Sequence, residues 1–189
     1  MKALAAVCLL LLLATPGVTD IVHDEAIHGD LSSDPAAPTS TAFNTLNNTI
    51  RGTMTSAGGV DRDYITFTLE SDRIMTGLIL HALSPDNLAF ASFNAGATSF
   101  IPSGATAASF LAGIHPGGSD VGNDLMPLFV SNSVTGNSLP GPSLGPGTYC
   151  FLIQQTSPID QVYELEFIVS FVLPVERSTW GTIKALYSR

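Results

Sequence analysis

The chain has 189 residues and a formal net charge of −9, with 16 aspartates and glutamates against 7 lysines and arginines. That balance argues against nucleic acid or an anionic membrane as a partner, since both repel an acidic surface. The length suits one domain with a real core, and two cysteines are too few for a small disulfide scaffold.

Met1-Lys2 is followed by an apolar run from Ala3 to Ala14 and then by Thr15-Pro16-Gly17-Val18-Thr19. A basic start, a short apolar core and small residues predict a secretory signal helix over residues 1–19. The run is shorter than the roughly 20 residues that span a bilayer. The mature chain is therefore expected to be secreted, with no transmembrane segment, and Cys8 to leave with the signal. Cys150 then remains as a small buried hydrophobe rather than a reactive thiol.

Residues 20–173 read as one all-β domain. A short extended segment, "IVHD", leads into a polar crossing that contains Pro35 and Pro38. Runs rich in β-branched and aromatic residues then alternate with Gly/Pro/Asn/Asp clusters. Strands are predicted at 49–55, 64–69, 75–83, 88–94, 110–114, 149–155 and 163–171, a spacing that indicates an antiparallel β-sandwich rather than βαβ units. The last of these is the clearest. Tyr163, Leu165, Phe167, Val169 and Phe171 share one face, and Glu164, Glu166 and Ser170 lie on the other, facing water. In "YCFLIQQ" both faces are apolar, which predicts a central strand.

Residues 98–147 are rich in Gly, Ser, Asn and Pro, hold few strand-like runs, and are expected to form long loops with little helix. From Pro174 the chain changes character. Residues 174–189 read as a tail with a short helix, capped by Ser178 or Thr179 and carrying Trp180, Ile183, Leu186 and Tyr187 as contact residues. A sorting or attachment role is the functional reading of that tail.

The chemical motifs are sparse. There is no H-E-x-x-H and no glycine-rich phosphate loop, so no enzyme is predicted and no catalytic residue is nominated. His23 and His28 are five apart in an extended stretch and are expected on opposite faces. His81 reads as a hydrogen-bonded histidine of a strand, and His115 as a loop residue. Asp61 and Asp63, two apart before a strand, share a side in an extended chain and can ligate together. Ca²⁺ is suited to them because it takes six to eight oxygen ligands. Asp120, Asn123 and Asp124 form a second oxygen-rich loop. Ordinary turn chemistry is the stronger explanation of both acid groups.

Seven segments follow one another in order: "DEAIHGDLSSDPAAPT", "NNTIRGT", "GGVDRDYITFTL", "DNLAF", "GIHPGGSDVGND", "LGPGTYCFLIQQT" and "YELEFIVS". Together, from about His23 to Val172, they resemble the bacterial pre-peptidase C-terminal (PPC-like) β-sandwich domains, in particular small exported proteins that carry this domain alone. The resemblance implies a jelly-roll-like sandwich without catalytic activity. It also implies that some relatives bind calcium through acids near the domain start and beside the D-x-D turn. Asp61 and Asp63 match the turn, and Asp24 or Glu25 the early acids. Many relatives end in Pro-Glu-Pro, a membrane helix and a basic cluster. Here Arg177 stands where the second Pro would come, and no apolar span follows.

The expected function is a non-catalytic exported β-sandwich module that makes binding or structural contacts with a protein or glycan at the cell surface or in the medium. It requires no cofactor, with Ca²⁺ as the candidate ion. The alternative is a calcium-dependent or carbohydrate-binding adhesion module, and a secreted hydrolase is the remote third.

Overall fold

The computed structural model describes residues 19–56, 60–85, 88–99 and 109–172. Most of the expected signal segment and the whole tail, with Trp180, Ile183, Leu186 and Tyr187, lie outside the described residues. In chain order the elements are β1 (Thr19–Asp24), α1 (Glu25–His28), β2 (Thr39–Ser40), β3 (Asn47–Met54), β4 (Arg62–Leu69), β5 (Arg73–Ser84), β6 (Ala89–Ala95), β7 (Ala112–Ile114), α2 (Met126–Ser131), β8 (Gly147–Gln155) and β9 (Gln161–Phe171).

These strands form an all-β sandwich of two sheets, one ordered β1-β3-β9-β5 and the other β2-β4-β8-β6-β7. From β1 to β6 each strand crosses to the opposite sheet. Next-but-one strands therefore run the same way, and two edge pairs, β1 with β3 and β2 with β4, are parallel. This departs from the purely antiparallel sandwich expected from strand spacing. The remaining pairs are antiparallel.

Period-two alternation sends one face of each long strand into the space between the sheets. Phe43, Phe67, Phe151 and Phe167 meet there, with ring centroids 4.5 Å apart for Phe43–Phe67, 4.9 Å for Phe43–Phe167 and 5.4 Å for the edge-on pair Phe151–Phe167. Offset and edge-on rings at such distances add to the stabilisation of area burial alone. Ile50, Met54, Ile65, Leu78, Leu80, Ile153, Leu165 and Val169 fill the space around them.

Strand β8 lies between β4 and β6, and its outward side chains Cys150 and Leu152 are covered by Tyr64, Phe110 and Phe90. Both faces of this strand are thus buried, as its sequence predicts. Burial pushes the Cys150 thiol up to about 12, which removes the nucleophilic thiolate. We expect Cys150 to resist an aromatic disulfide reagent in the native protein and to react once guanidinium unfolds it. Measuring reagent turnover before and after denaturation checks this.

Strand β9 departs from its simple pattern at two positions. Phe171 is 54% exposed at the strand end, where the Arg73 guanidinium lies over its ring at 5.2 Å. Glu166, expected in water, is only 8% exposed, and its Oε2 lies 2.7 Å from His81 Nε2. The hydrogen bond to histidine lets a carboxylate sit on that covered part of the sheet.

Helix α2 falls in the region read as loop. Its six residues are too short to display a helical period. Asp124 holds its start, accepting from the Met126 N–H at 3.0 Å and from the Leu78 N–H of β5 at 2.9 Å. Phe129 then packs against Phe93, with centroids 4.9 Å apart.

Candidate metal centre

The end of the sandwich where β3 and β8 finish and β4 and β9 begin carries an unusual set of inward residues. It is built by a short turn. Asp24 ends β1 and its Oδ1 accepts from the Ala26 N–H at 3.0 Å, which starts α1. Gly29 closes the turn at φ 88°, a conformation that favours glycine, and its N–H reaches the Glu25 carbonyl at 3.0 Å.

This turn places the Glu25 carboxylate against β3 and against the segment that follows the turn. Its Oε1 accepts from the Leu31 N–H at 3.1 Å and its Oε2 from the Thr53 N–H of β3 at 2.6 Å. Across the sandwich, β4 directs Asp63 inward. Asp63 is fully buried, and its Oδ2 accepts from the Tyr163 hydroxyl of β9 at 2.8 Å. Its Oδ1 is buried with no partner among the described residues. Asp30, exposed just beyond Gly29, completes a group in which Glu25, Asp30 and Asp63 each offer a ligand atom within 4.8 Å of the others.

The electrostatics follow from the burial. Desolvation pushes Asp63 up to about 8, and the neighbouring Glu25 charge adds to the effect against the opposing Tyr163 hydrogen bond. Glu25 is raised as well, chiefly by its own burial. Burial and the Asp63 charge hold the Tyr163 hydroxyl well above the ordinary phenol range. Acids packed this way strain to share protons, and a cation relieves the repulsion directly. A buried oxygen without a partner costs about 1–3 kcal/mol, so Asp63 Oδ1 is itself a place for a ligand. The donor set is all oxygen. It fits a hard cation such as Ca²⁺ or Mg²⁺ and not a thiolate-preferring metal.

Of the acids expected at this site, the structure brings Glu25 and Asp63 together and adds Asp30. Asp24 serves the helix start, with an oxygen 4.0 Å from Arg51. Asp61 braces the loop before β4: its Oδ2 accepts from the Thr55 N–H at 2.8 Å and from the Thr55 hydroxyl, and its Oδ1 accepts from the Arg62 N–H. Asp30 was missed, although it lies inside the "GDLS" segment that served as a family marker. What signals it is its position one residue past the α1-ending glycine.

The second loop is used internally. Asp120 accepts from the Gly117 N–H at 2.8 Å, Asn123 donates its amide to the Ser119 carbonyl at 3.2 Å, and Asp124 holds β5 and α2 as described. His23 and His28, expected on opposite faces, have ring centroids 5.3 Å apart. The α1 turn between them folds the second ring back over the first. His115 lies in a loop as expected, with its Nδ1 3.1 Å from the Ala89 carbonyl.

Gly52 makes the site's packing specific. A Cβ there would lie 2.4 Å from the Tyr163 hydroxyl oxygen and 2.5 Å from its ring carbon Cζ. We expect Gly52→Ala to push Tyr163 away from Asp63 and to destabilise the protein by about 1–3 kcal/mol, as overpacking does. Urea unfolding of the two proteins measures it.

Neither a known protein family model nor a curated protein matches this chain. Among solved structures it is similar to the pre-peptidase C-terminal domain of collagenase from Bacillus anthracis, a crystal structure at 1.0 Å. The identity is 14% and the TM-score 0.39, with 74% of this chain and 100% of that domain covered.

Proposed function

We propose that this chain is a non-catalytic exported β-sandwich module, and that a Ca²⁺ ion held by Glu25, Asp30 and Asp63 locks the end of the sandwich for contact with a surface partner. The observation that carries the reading is the convergence of one oxygen from each of three carboxylates to within 4.8 Å, one of them Asp63, whose buried Oδ1 has no partner among the described residues. Glu25 follows β1 and is bonded to β3 of one sheet, and Asp63 belongs to β4 of the other. An ion bound between them ties the two sheets together and orders the turn from Glu25 to Asp30. The partner, a protein or a glycan, then meets a rigid end instead of a flexible one, which lowers the ordering cost of binding.

Thermal melting tests this. An ion bound by the folded chain alone raises stability by mass action, about 2.7 kcal/mol at a concentration one hundred times its dissociation constant. The full chain is expected to melt several degrees higher in millimolar Ca²⁺ than in EDTA. Equal melting temperatures in the two buffers would remove the ion from the account.

A further inference from the structure

A second group of buried polar atoms lies one layer beyond Asp63 toward the same end of the sandwich. On β8, Ile153 pairs with Asp63, and Gln155 is the next inward residue. On β9, Gln161 precedes Tyr163 on the same inward face and pairs with Met54 of β3. Successive inward residues are about 7 Å apart along a strand. The Gln155 Nε2 reaches across to the Thr55 carbonyl at 2.8 Å, next in the chain to Met54, so both glutamines lie against the same end of β3.

Both side chains are essentially inaccessible, Gln155 at 1% and Gln161 at 0%. Gln155 Oε1 and both Gln161 Oε1 and Nε2 have no partner among the described residues, and neither does Asp63 Oδ1. Four such atoms in two adjacent layers, without partners among the described residues, depart from the habit of protein interiors, where roughly 90% or more of buried polar groups are paired. Uncharged amides that both donate and accept are suited to water, which typically takes two to four polar partners in such a site.

The centre itself also lacks oxygens. Ca²⁺ takes six to eight ligands. Three carboxylates that each offer one atom fall short of that number, and the hydrogen bonds to both Glu25 oxygens and to Asp63 Oδ2 occupy lone pairs that further ligand bonds from these groups would need. We infer that Gln155 and Gln161 line a hydrated chamber behind the carboxylates and act as positioning residues for the water ligands that complete the cation's shell. This rests on the cation reading above. In it the amides do not touch the ion. They orient the waters that do, and hydrogen-bonding partners of that kind typically alter metal affinity by about 10–100-fold.

The test uses Tb³⁺ as a luminescent substitute for Ca²⁺ on the full chain, with lifetimes in H₂O and D₂O counting the waters on the ion and Ca²⁺ competition confirming the shared site. The wild type is expected to hold at least two waters. Gln161→Leu is expected to hold fewer and to bind about tenfold more weakly, while Gln161→Asn, which keeps the amide, recovers part of both. If Gln161→Leu binds Tb³⁺ with unchanged affinity and water count, the chamber inference is overturned and the cation reading stands. If the wild type binds no Tb³⁺ or Ca²⁺, both fall. Should Gln161→Leu fail to fold, Gln155→Leu gives the same readings at the other wall of the chamber.

Discussion

In EDTA, the protein is expected to lose stability as the pH rises from about 4 to about 8, and Asp63→Asn is expected to lose much less. Asp63 stands at about 8 in the folded chain against an ordinary value of 3.8. Between those two values the folded protein holds a proton that the unfolded chain has released. Stability therefore falls with rising pH across that window, at up to about 1.4 kcal/mol per pH unit, and levels off above it. Glu25, also raised by burial, adds in the same direction at the lower end of the range. Relaxation of the site on ionisation limits the total, which we place at about 2–5 kcal/mol, still a large share of a typical domain's stability. The asparagine keeps an oxygen to accept from Tyr163 and carries no charge to bury. Guanidinium unfolding at pH 5, 6, 7 and 8 in EDTA measures the slope for both proteins. A wild-type slope that survives unchanged in Asp63→Asn would show that another group causes it. With saturating Ca²⁺ the wild-type loss above pH 6 is expected to shrink, because the ion takes the place of the proton.

The second large effect lies in the core. Phe167→Ala removes the ring that touches Phe43, Phe67 and Phe151 at once, with centroids 4.9, 5.8 and 5.4 Å away. It sits on β9, which is flanked by β3 and β5 in its sheet, so neither neighbour can close over the void without breaking strand pairing. Interiors packed to crystal density relax only partly around such a loss. The expected destabilisation is about 3–5 kcal/mol, with the unfolding midpoint shifted and the denaturant slope unchanged. The matched exposed change, Phe171→Ala, is expected to cost under about 1 kcal/mol. If the two substitutions prove equal, the aromatic cluster is not the centre of the core.

Much of this architecture was legible in the residues. Tyr163 to Val169 alternate so regularly that one buried face follows from the chain alone, and "YCFLIQQ" announced a strand covered on both sides. Phe171 was misread because alternation continues to the last residue of β9, where the ring lies exposed beneath Arg73. Helix α2 was invisible because a single helical turn and a half shows no period. Its start depends on Asp124 bonding a strand far away in sequence. Parallel pairing of β1 with β3 likewise depends on which sheet each strand joins, a tertiary choice that strand spacing does not encode.

The site was legible in part. Asp63 and Glu25 stood out as residue types, but an aspartate before a strand looks the same in sequence whether it faces water, as Asp61 does in part, or is fully buried, as Asp63 is. The distinction is where the strand begins: Asp63 is the second residue of β4 and faces the interior, while Asp61 lies in the loop before it. Asp30 became visible only through the backbone turn at Gly29. Gln155 and Gln161 gave no signal, because a glutamine near a strand end is ordinarily a solvated residue.

The central claim is that Glu25, Asp30 and Asp63 hold one hard cation, and calorimetric titration of Ca²⁺ into EDTA-stripped full-length protein tests it most directly. Saturable binding of one ion per chain is expected, weakened at least tenfold by Asp63→Asn and by Glu25→Gln, while Asp120→Asn binds like the wild type. Absence of a saturable heat, or binding that survives Asp63→Asn and is lost in Asp120→Asn, would contradict it.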